Sequence, residues 1–413
     1  AHAAKTVNET IRRADEAQKV ITRRDIAWVG PIQGGLYTDL IAHSAREMSK
    51  IGFDVYALGS PTEVMEQYLF TDLVDMIITA KMNLPSSAPF HLFGAGHPFM
   101  LALAVALGCD LFDSAAYILY ARRNRYLTPT GTLNLGQMSY FPCICDVCAK
   151  TGPAEVRSRP TVERTRFLAE HNLSACLQEI ETIKEAIAEG RLWELVEVRC
   201  RSHPSLLEGL RATKKHRFYM TRTAPSTKRK GILFFDSTSL QRPEYVMHVE
   251  KLLRDYAPPG AAKIALLTPA TSNRFAQLNR SQNLNLLGVD RITHVCLYSP
   301  PYGLVPSELE DTFPFSQTES PNEPDFDTLL MMVETLQRYL AQHRNYQTLA
   351  LVRSNKEWQM RFARMCKRLC RKTGVRYSCY GEQEILTGLT GILNKEKKHL
   401  HRTAKRGPFE KKS

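Results

Sequence analysis

The 413-residue chain contains no apolar run of the roughly 18 residues that a membrane helix needs. Its opening residues, AHAAKTVNETIRRADEAQ, have a helical period and lack the apolar core of a secretory signal. Together these absences lead to the expectation of a cytoplasmic protein with no membrane contact. Ten cysteines in a chain this long are too few for a disulfide scaffold. No solenoid-type repeat occurs, which excludes stacked repeat architectures. Acidic residues fall short of basic ones, 42 against 55, leaving a formal net charge of +13. That imbalance favours a polyanionic partner, nucleic acid or an anionic membrane, with general solubility as the plain alternative.

What is present is enough apolar sequence for two or three cores, at 43% of residues. Residues 4–22 have the period of an amphipathic helix. Apolar segments at Ile26–Val29, Val55–Leu58, Phe90–Phe93 and Asp110–Phe112 alternate with helical stretches at Leu36–Ile51, Thr62–Asn83 and Pro98–Leu107. Strand, loop and helix recur about four times, which predicts an α/β unit with parallel strands. A closed (β/α)8 barrel needs about 250 residues. The expectation is therefore an incomplete barrel whose other strands come from elsewhere. A further helical segment spans 175–200, and the basic stretch 213–230 is expected to be a linker carrying Arg222, Lys228, Arg229 and Lys230. A second α/β unit follows over 231–394. Its expected strands are Ile232–Phe235, Ile264–Thr268, Thr293–Tyr298 and Leu349–Val352, and its expected helices are Pro243–Tyr256, Asp327–His343 and Trp358–Lys372. The end of the chain, 395–413, holds eight Lys or Arg and two Glu, and is expected to be a basic tail.

Three thiols lie within six residues as Cys143-x-Cys145-x2-Cys148, and His171 follows after a helical stretch. Three thiolates and an imidazole fill a tetrahedral shell, the arrangement of structural Zn2+. No position is left for water, so such an ion would staple the fold and leave chemistry to other residues. His171 alone is the weaker member of the set, because a surface histidine would look the same.

Two glycine-bearing turns follow apolar segments. Gly94-Ala95-Gly96-His97-Pro98 precedes a helix, where small residues allow close backbone approach and proline fits the first turn. Gln33-Gly34-Gly35 has a similar place, and a glutamine amide both donates and accepts, which suits a purine edge. Either turn could equally be a simple connection. Asp113 closes the segment Asp110-Leu111-Phe112-Asp113. The C-terminal end of a barrel strand is where catalytic groups sit, yet either aspartate could cap the next helix, and the residues by themselves favour capping.

The segments HLFGAGHPFMLALAVALGCDLFDSAAYILYARRNRYLTPTGT, YFPCICDVC, GPIQGGLYTDL and KEAIAEGRLWELVEVRCRSHPSLLEGLR together resemble the archaeal tRNA-guanine transglycosylases and their paralogue, archaeosine synthase. The resemblance is strong over about 1–212 and looser over 231–354, where LYSPPYGLVPSELEDTFPFSQTE looks like the family's C-terminal extension. It implies a (β/α)8 barrel with a zinc subdomain and a tRNA substrate. It also implies a nucleophile at Asp113 that attacks the ribose anomeric carbon, expels guanine and is displaced by 7-cyano-7-deazaguanine, through a covalent intermediate like that of a retaining glycosidase. The target base must leave its stack to be reached. Gln33 and the Gly34 backbone match the base-reading loop, and Gly59 with Ser60 occupies a second base-facing loop.

The chain departs from the family in several places. The family's Asp-Ser-Gly-x-Phe-Gln type motif, with its second catalytic aspartate, does not occur, so the chain alone is expected to be inactive and to work with a second polypeptide. Where the family has two glycines, this chain has Gly59-Ser60, which narrows the loop. The segment Pro269–Phe275 lacks the cysteine and lysine that archaeosine synthase carries there. No convincing PUA domain is found, leaving the basic tail and linker as candidate phosphate contacts. The competing readings are a synthase-like subunit acting on the exchanged base and a non-catalytic tRNA-binding partner.

Overall fold

The computed structural model describes residues 1–270 and 292–382, with Glu384, Asn394 and Lys398. Most of the 269–275 segment, and all of the basic tail except Lys398, lie outside the described residues. The chain divides into two units, Ala1–Lys230 and Gly231–Ser413.

The first unit begins with α1 (His2–Val20). It continues as β1 (Val29–Ile32), α2 (Thr38–Ile51), β2 (Val55–Leu58), α3 (Pro61–Glu66), α4 (Phe70–Met82), β3 (Phe90–Leu92), α5 (Pro98–Ala106) and β4 (Leu111–Phe112). The four strands form one sheet in the order β1-β2-β3-β4, all parallel, each paired with the next in sequence. Parallel neighbours need a crossover, and the intervening helices supply it on one face. That face is closed: Ile32, Leu58, Phe90 and Leu92 are fully buried against Ile41, Met48, Val74, Ile77 and Ala102 of the helices. The opposite face is open among the described residues. Val29, Leu111 and Phe93 are each about half exposed there, at 46%, 45% and 53%.

The first strand sits three residues later than the sequence pattern places it. Asp54 accepts from the Trp28 N–H and Trp28 O accepts from the Asp54 and Val55 N–H groups, so the ladder starts only after Trp28. Pro31 is tolerated because β1 is an edge strand among those described. The single helix expected over 62–83 is two helices, parted at Tyr68, whose φ of 59° is left-handed. The 175–200 stretch is likewise divided. Helix α8 (Thr161–Ala188) stops before Gly190 at φ 71°, and α9 (Leu192–Cys200) resumes after it. A bidentate pair joins them, Arg199 Nε and Nη2 donating to Glu179 at 2.8 and 2.9 Å, with Glu179 fully buried.

Between β4 and α8 lie α6 (Ala116–Arg122), the antiparallel hairpin β5 (Arg125–Thr128) and β6 (Gly131–Asn134), and α7 (Pro153–Ser158). They enclose a small separate core of Tyr126, Leu135, Met138, Val156, Phe167 and Leu168. After α9 come α10 (Pro204–Ala212) and α11 (Arg217–Thr223), so much of the expected linker is helical. Lys228 in that stretch is buried and paired with Glu194 at 2.9 Å, and Lys230 pairs with Glu189. Burial removes Lys228 from any role at the surface.

Among the described residues, the second unit holds a five-stranded sheet in the order β10-β9-β8-β12-β13. Its strands are β8 (Ile264–Pro269), β9 (Thr293–Ser299), β10 (Tyr302–Pro306), β12 (Thr348–Arg353) and β13 (Arg376–Gly381). Among the described strands of this sheet, only the β9–β10 pair is antiparallel. The short β7 (Ile232–Leu233) and β11 (Thr318–Glu319) pair separately. Central β8 is buried throughout, as a continuous apolar strand between helices should be. The helices Pro243–Arg254, Phe326–Gln342 and Glu357–Thr373 match their expected positions within one or two residues. β13 and β10 were not expected from the sequence.

Among the described residues no helix is long and apolar enough to cross a membrane.

Candidate functional site

Because all four strands of the first sheet run in parallel, their C-terminal ends share one edge, and the singled-out residues fall along it. Gln33 follows β1, Gly59 and Ser60 follow β2, Gly94 follows β3 and Asp113 follows β4. Strand alternation does the rest. On β3, Phe90 and Leu92 point to the helices, so His91 points to the open face.

There His91 Nε2 lies 2.8 Å from Asp113 Oδ1, and the Gly94 N–H donates to the same oxygen at 2.8 Å. Asp113 Oδ2 has no hydrogen bond among the described residues, and the side chain is 49% exposed. One oxygen is thus fixed and the other is presented outward. Asp110 is used differently: its Oδ2 accepts from the Phe90 N–H at 2.8 Å, at the opposite end of the strands. Neither aspartate caps α6. The N-cap is Ala115, which offers no side-chain acceptor, and Ser114 Oγ accepts from the Ala116 N–H at 2.9 Å just before it.

Gln33 and Gly59 are in close approach. A methyl group on Gly59 would lie 2.7 Å from Gln33 Nε2 and 2.8 Å from Oε1, so glycine there makes room for the amide. The Gly59 N–H donates to Ile32 O at 2.8 Å, and Ser44 Oγ accepts from the Gln33 N–H at 3.0 Å, which fixes both loop backbones. Ser60 has φ 65°, a conformation that a non-glycine residue adopts at a cost of about 1 kcal/mol or more. Gly96 has its own reason: a methyl there would overlap Ser114 Cβ at 2.0 Å. His97 caps α5, its Nδ1 accepting from the Phe99 N–H at 3.3 Å, and burial pushes its imidazole down to about 4.

The other site lies in the small subdomain. Ligand atoms of Cys143, Cys145, Cys148 and His171 are all within 4.8 Å of one another and could hold a metal ion. His171 Nδ1 is 3.6 Å from Cys145 Sγ and 3.4 Å from Cys148 Sγ. Its other nitrogen, Nε2, is 2.9 Å from Leu127 O, which sets the tautomer with the proton on Nε2 and leaves Nδ1 as a donor toward an ion. Burial pushes the imidazole down to about 4, so it is neutral as a ligand must be, and pushes the Cys148 thiol up to about 12. The Tyr126 ring stacks on His171 with centroids 3.5 Å apart. Asn172, next along α8, accepts from the Leu127 N–H at 2.8 Å and donates to Tyr117 O and Arg125 O, clamping helix to hairpin.

The sequence pattern missed His91. Its signal was a polar residue alternating with buried Phe90 and Leu92, three positions before a glycine turn.

Residues 1–205 match the family model described as queuine tRNA-ribosyltransferase. A tRNA-guanine(15) transglycosylase of Saccharolobus solfataricus is 39% identical over 362 residues, covering 86% of this chain and 72% of that protein. Proteins of the same name are 41% identical over 330 residues in Methanocaldococcus jannaschii and 42% over 324 in Pyrobaculum aerophilum. These alignments cover 79% and 77% of this chain, and 49% and 64% of those relatives, so the chain spans about half the length of the methanogen protein. With a relative this similar aligned over nearly three quarters of its length, the chain belongs to the tRNA-guanine transglycosylase family.

Proposed function

We propose that this chain contributes the nucleophile-bearing part of a tRNA-guanine transglycosylase, exchanging a guanine of tRNA for 7-cyano-7-deazaguanine in archaeosine formation. The observation that carries this reading is the Asp113 carboxylate at the C-terminal edge of a parallel sheet, with Oδ1 held by His91 and Gly94 and Oδ2 open. In the reaction, Oδ2 bonds to the ribose C1′ as the C1′–N9 bond breaks, and the electron pair leaves with guanine. N9 of the incoming base, its proton passed by way of solvent to the departed guanine anion, then attacks C1′ and releases the carboxylate. Gln33 and the Gly34 backbone meet the base, with Gly59 and Ser60 forming the facing loop. The cytoplasm, where tRNA is modified, is the expected compartment.

The four-stranded sheet is read as part of a (β/α)8 barrel. Its sequential parallel order and its open face, bearing Val29, Leu111 and Phe93, support that reading. Closing such a barrel takes further strands and a second catalytic aspartate beyond those of these 413 residues.

The Cys143, Cys145, Cys148 and His171 set is read as a structural zinc site. Zn–S and Zn–N bonds of about 2.3 and 2.05 Å at tetrahedral angles give an S···N edge of roughly 3.5 Å. The observed 3.4 and 3.6 Å fit it. The ion would tie the hairpin, the Cys loop and α8 together.

The test is Asp113→Asn in the purified native assembly, with guanine exchange and tRNA binding measured side by side. Exchange should fall by roughly 10³-fold or more while tRNA affinity stays within about twofold. Retained exchange, or loss of exchange and binding together, would overturn the assignment.

A further inference from the structure

The helix Glu357–Thr373 differs in charge from its neighbours. It carries Arg361, Arg364, Lys367, Arg368, Arg371 and Lys372 against one carboxylate, Glu357, in its first turn. The helices Pro243–Arg254 and Phe326–Gln342 each mix acid and base. All six cations are exposed. At 3.6 residues per turn they fall within an arc of about 140° and run about 16 Å along the axis. Arg361 pairs with Glu357. The other five have no ion pair among the described residues.

Such a face repels itself, and beyond the Glu357–Arg361 pair no i,i+4 carboxylate relieves it among the described residues. The opposite face is already committed: Trp358, Phe362, Cys366, Leu369 and Cys370 are buried in the core of the second unit. An interfacial membrane helix needs its apolar face free to enter the lipid, which this one does not have. What remains is a cationic ridge, four of its six members arginines, whose planar forks match phosphate oxygens.

We propose that the helix Glu357–Thr373 is an RNA-docking ridge that holds backbone phosphates of the tRNA. The proposal rests on the tRNA reading above and assigns a substrate-holding task to the second unit. Because it neutralises phosphates without reading bases, it adds affinity and not sequence choice.

The experiment measures binding of a labelled tRNA transcript to the 413-residue chain by fluorescence anisotropy across a salt series. The variants are the triple Arg364→Gln, Arg368→Gln, Arg371→Gln, its lysine counterpart, and an Arg12→Gln, Arg13→Gln control on α1. Glutamine keeps helix propensity, so folding should hold, and circular dichroism checks it. The glutamine triple should weaken binding at least tenfold near 0.1 M salt and reduce the slope of log K against log salt by about 2. The lysine triple, which keeps the charge but not the forks, should keep the slope and lose less affinity than the glutamine triple, and the α1 control should bind like the parent. An unchanged affinity and slope in the glutamine triple overturns the ridge while leaving the tRNA reading intact. A loss seen only on phosphatidylserine vesicles overturns it in favour of a membrane. A parent chain that binds no tRNA overturns the tRNA reading, and the ridge with it.

Discussion

On the zinc-site proposal, replacing Cys148 by serine would isolate the metal's contribution to the small subdomain. Serine is close to cysteine in size, and the Tyr126 hydroxyl, 3.4 Å from Cys148 Sγ, can partner the hydroxyl that the change buries. What it removes is one of four ligands. Structural zinc sites contribute roughly 10–16 kcal/mol in apparent binding, so a quarter share is about 3 kcal/mol, or about two orders of magnitude in affinity. The subdomain has little to fall back on, with nine buried residues in its cluster against the much larger helix–sheet core of the same unit. Asn172 and the His171–Leu127 hydrogen bond help tie it to α8, and the latter depends on the imidazole being held in place. A chromophoric chelator in competition should therefore strip Cys148→Ser at concentrations that leave the parent loaded with one zinc per chain. Hydrogen exchange over 125–172 should rise sharply in the stripped protein, while α2, α4 and α5 stay protected. A variant that keeps its zinc refutes the ligand assignment. One that loses zinc with unchanged exchange over 125–172 refutes the structural role.

Gly59→Ala should displace the Gln33 amide, because the new methyl would lie 2.7 Å from Nε2, yet it should leave the melting temperature nearly unchanged since only a side-chain end must move. Loss of one or two hydrogen bonds to the base should raise the guanine KM roughly 10- to 100-fold; an unchanged KM would place base recognition elsewhere. His97 ties stability to pH. Burial holds its folded pKa near 4 against an ordinary value of 6.5, so between those values the unfolded chain binds the extra proton. Its contribution is complete above about pH 6.5 and is lost as pH falls toward 4, when the Nδ1 acceptor that caps α5 is also lost. Urea melts at pH 7 and pH 5 should show the first unit weakened at pH 5, and His97→Asn, which keeps a capping oxygen, should reduce that difference.

Much of this architecture was legible in the sequence, for particular reasons. The second unit's strands at Ile264 and Leu349 are continuous apolar runs, which buried parallel strands require, and the Cys-x-Cys-x2-Cys spacing constrains ligands whatever surrounds them. Errors came where a local signal was ambiguous. Trp28 is apolar but serves as the ladder's first anchor and not as strand, and Gly190 and Tyr68 end helices whose hydrophobic period continues past them. The basic stretch near 213–230 looked like solvent-facing linker, but polarity alone does not reveal that Lys228 has a buried carboxylate waiting 34 residues earlier.

The sequence by itself determined the alternation of strand and helix, the Cys and His set that could hold a metal ion, and the family. These follow from periodicity and from residue types whose chemistry is fixed along the chain. Only the tertiary structure separated Asp110 from Asp113. The two are three positions apart, but the parallel sheet sends one to the Phe90 N–H at the strand's entry and the other to the open C-terminal edge. It also joined His91 to Asp113 across 22 residues and Gln33 to Gly59 across two strands. Such pairings depend on which strands are neighbours and which face each residue meets, and that is settled when the sheet assembles.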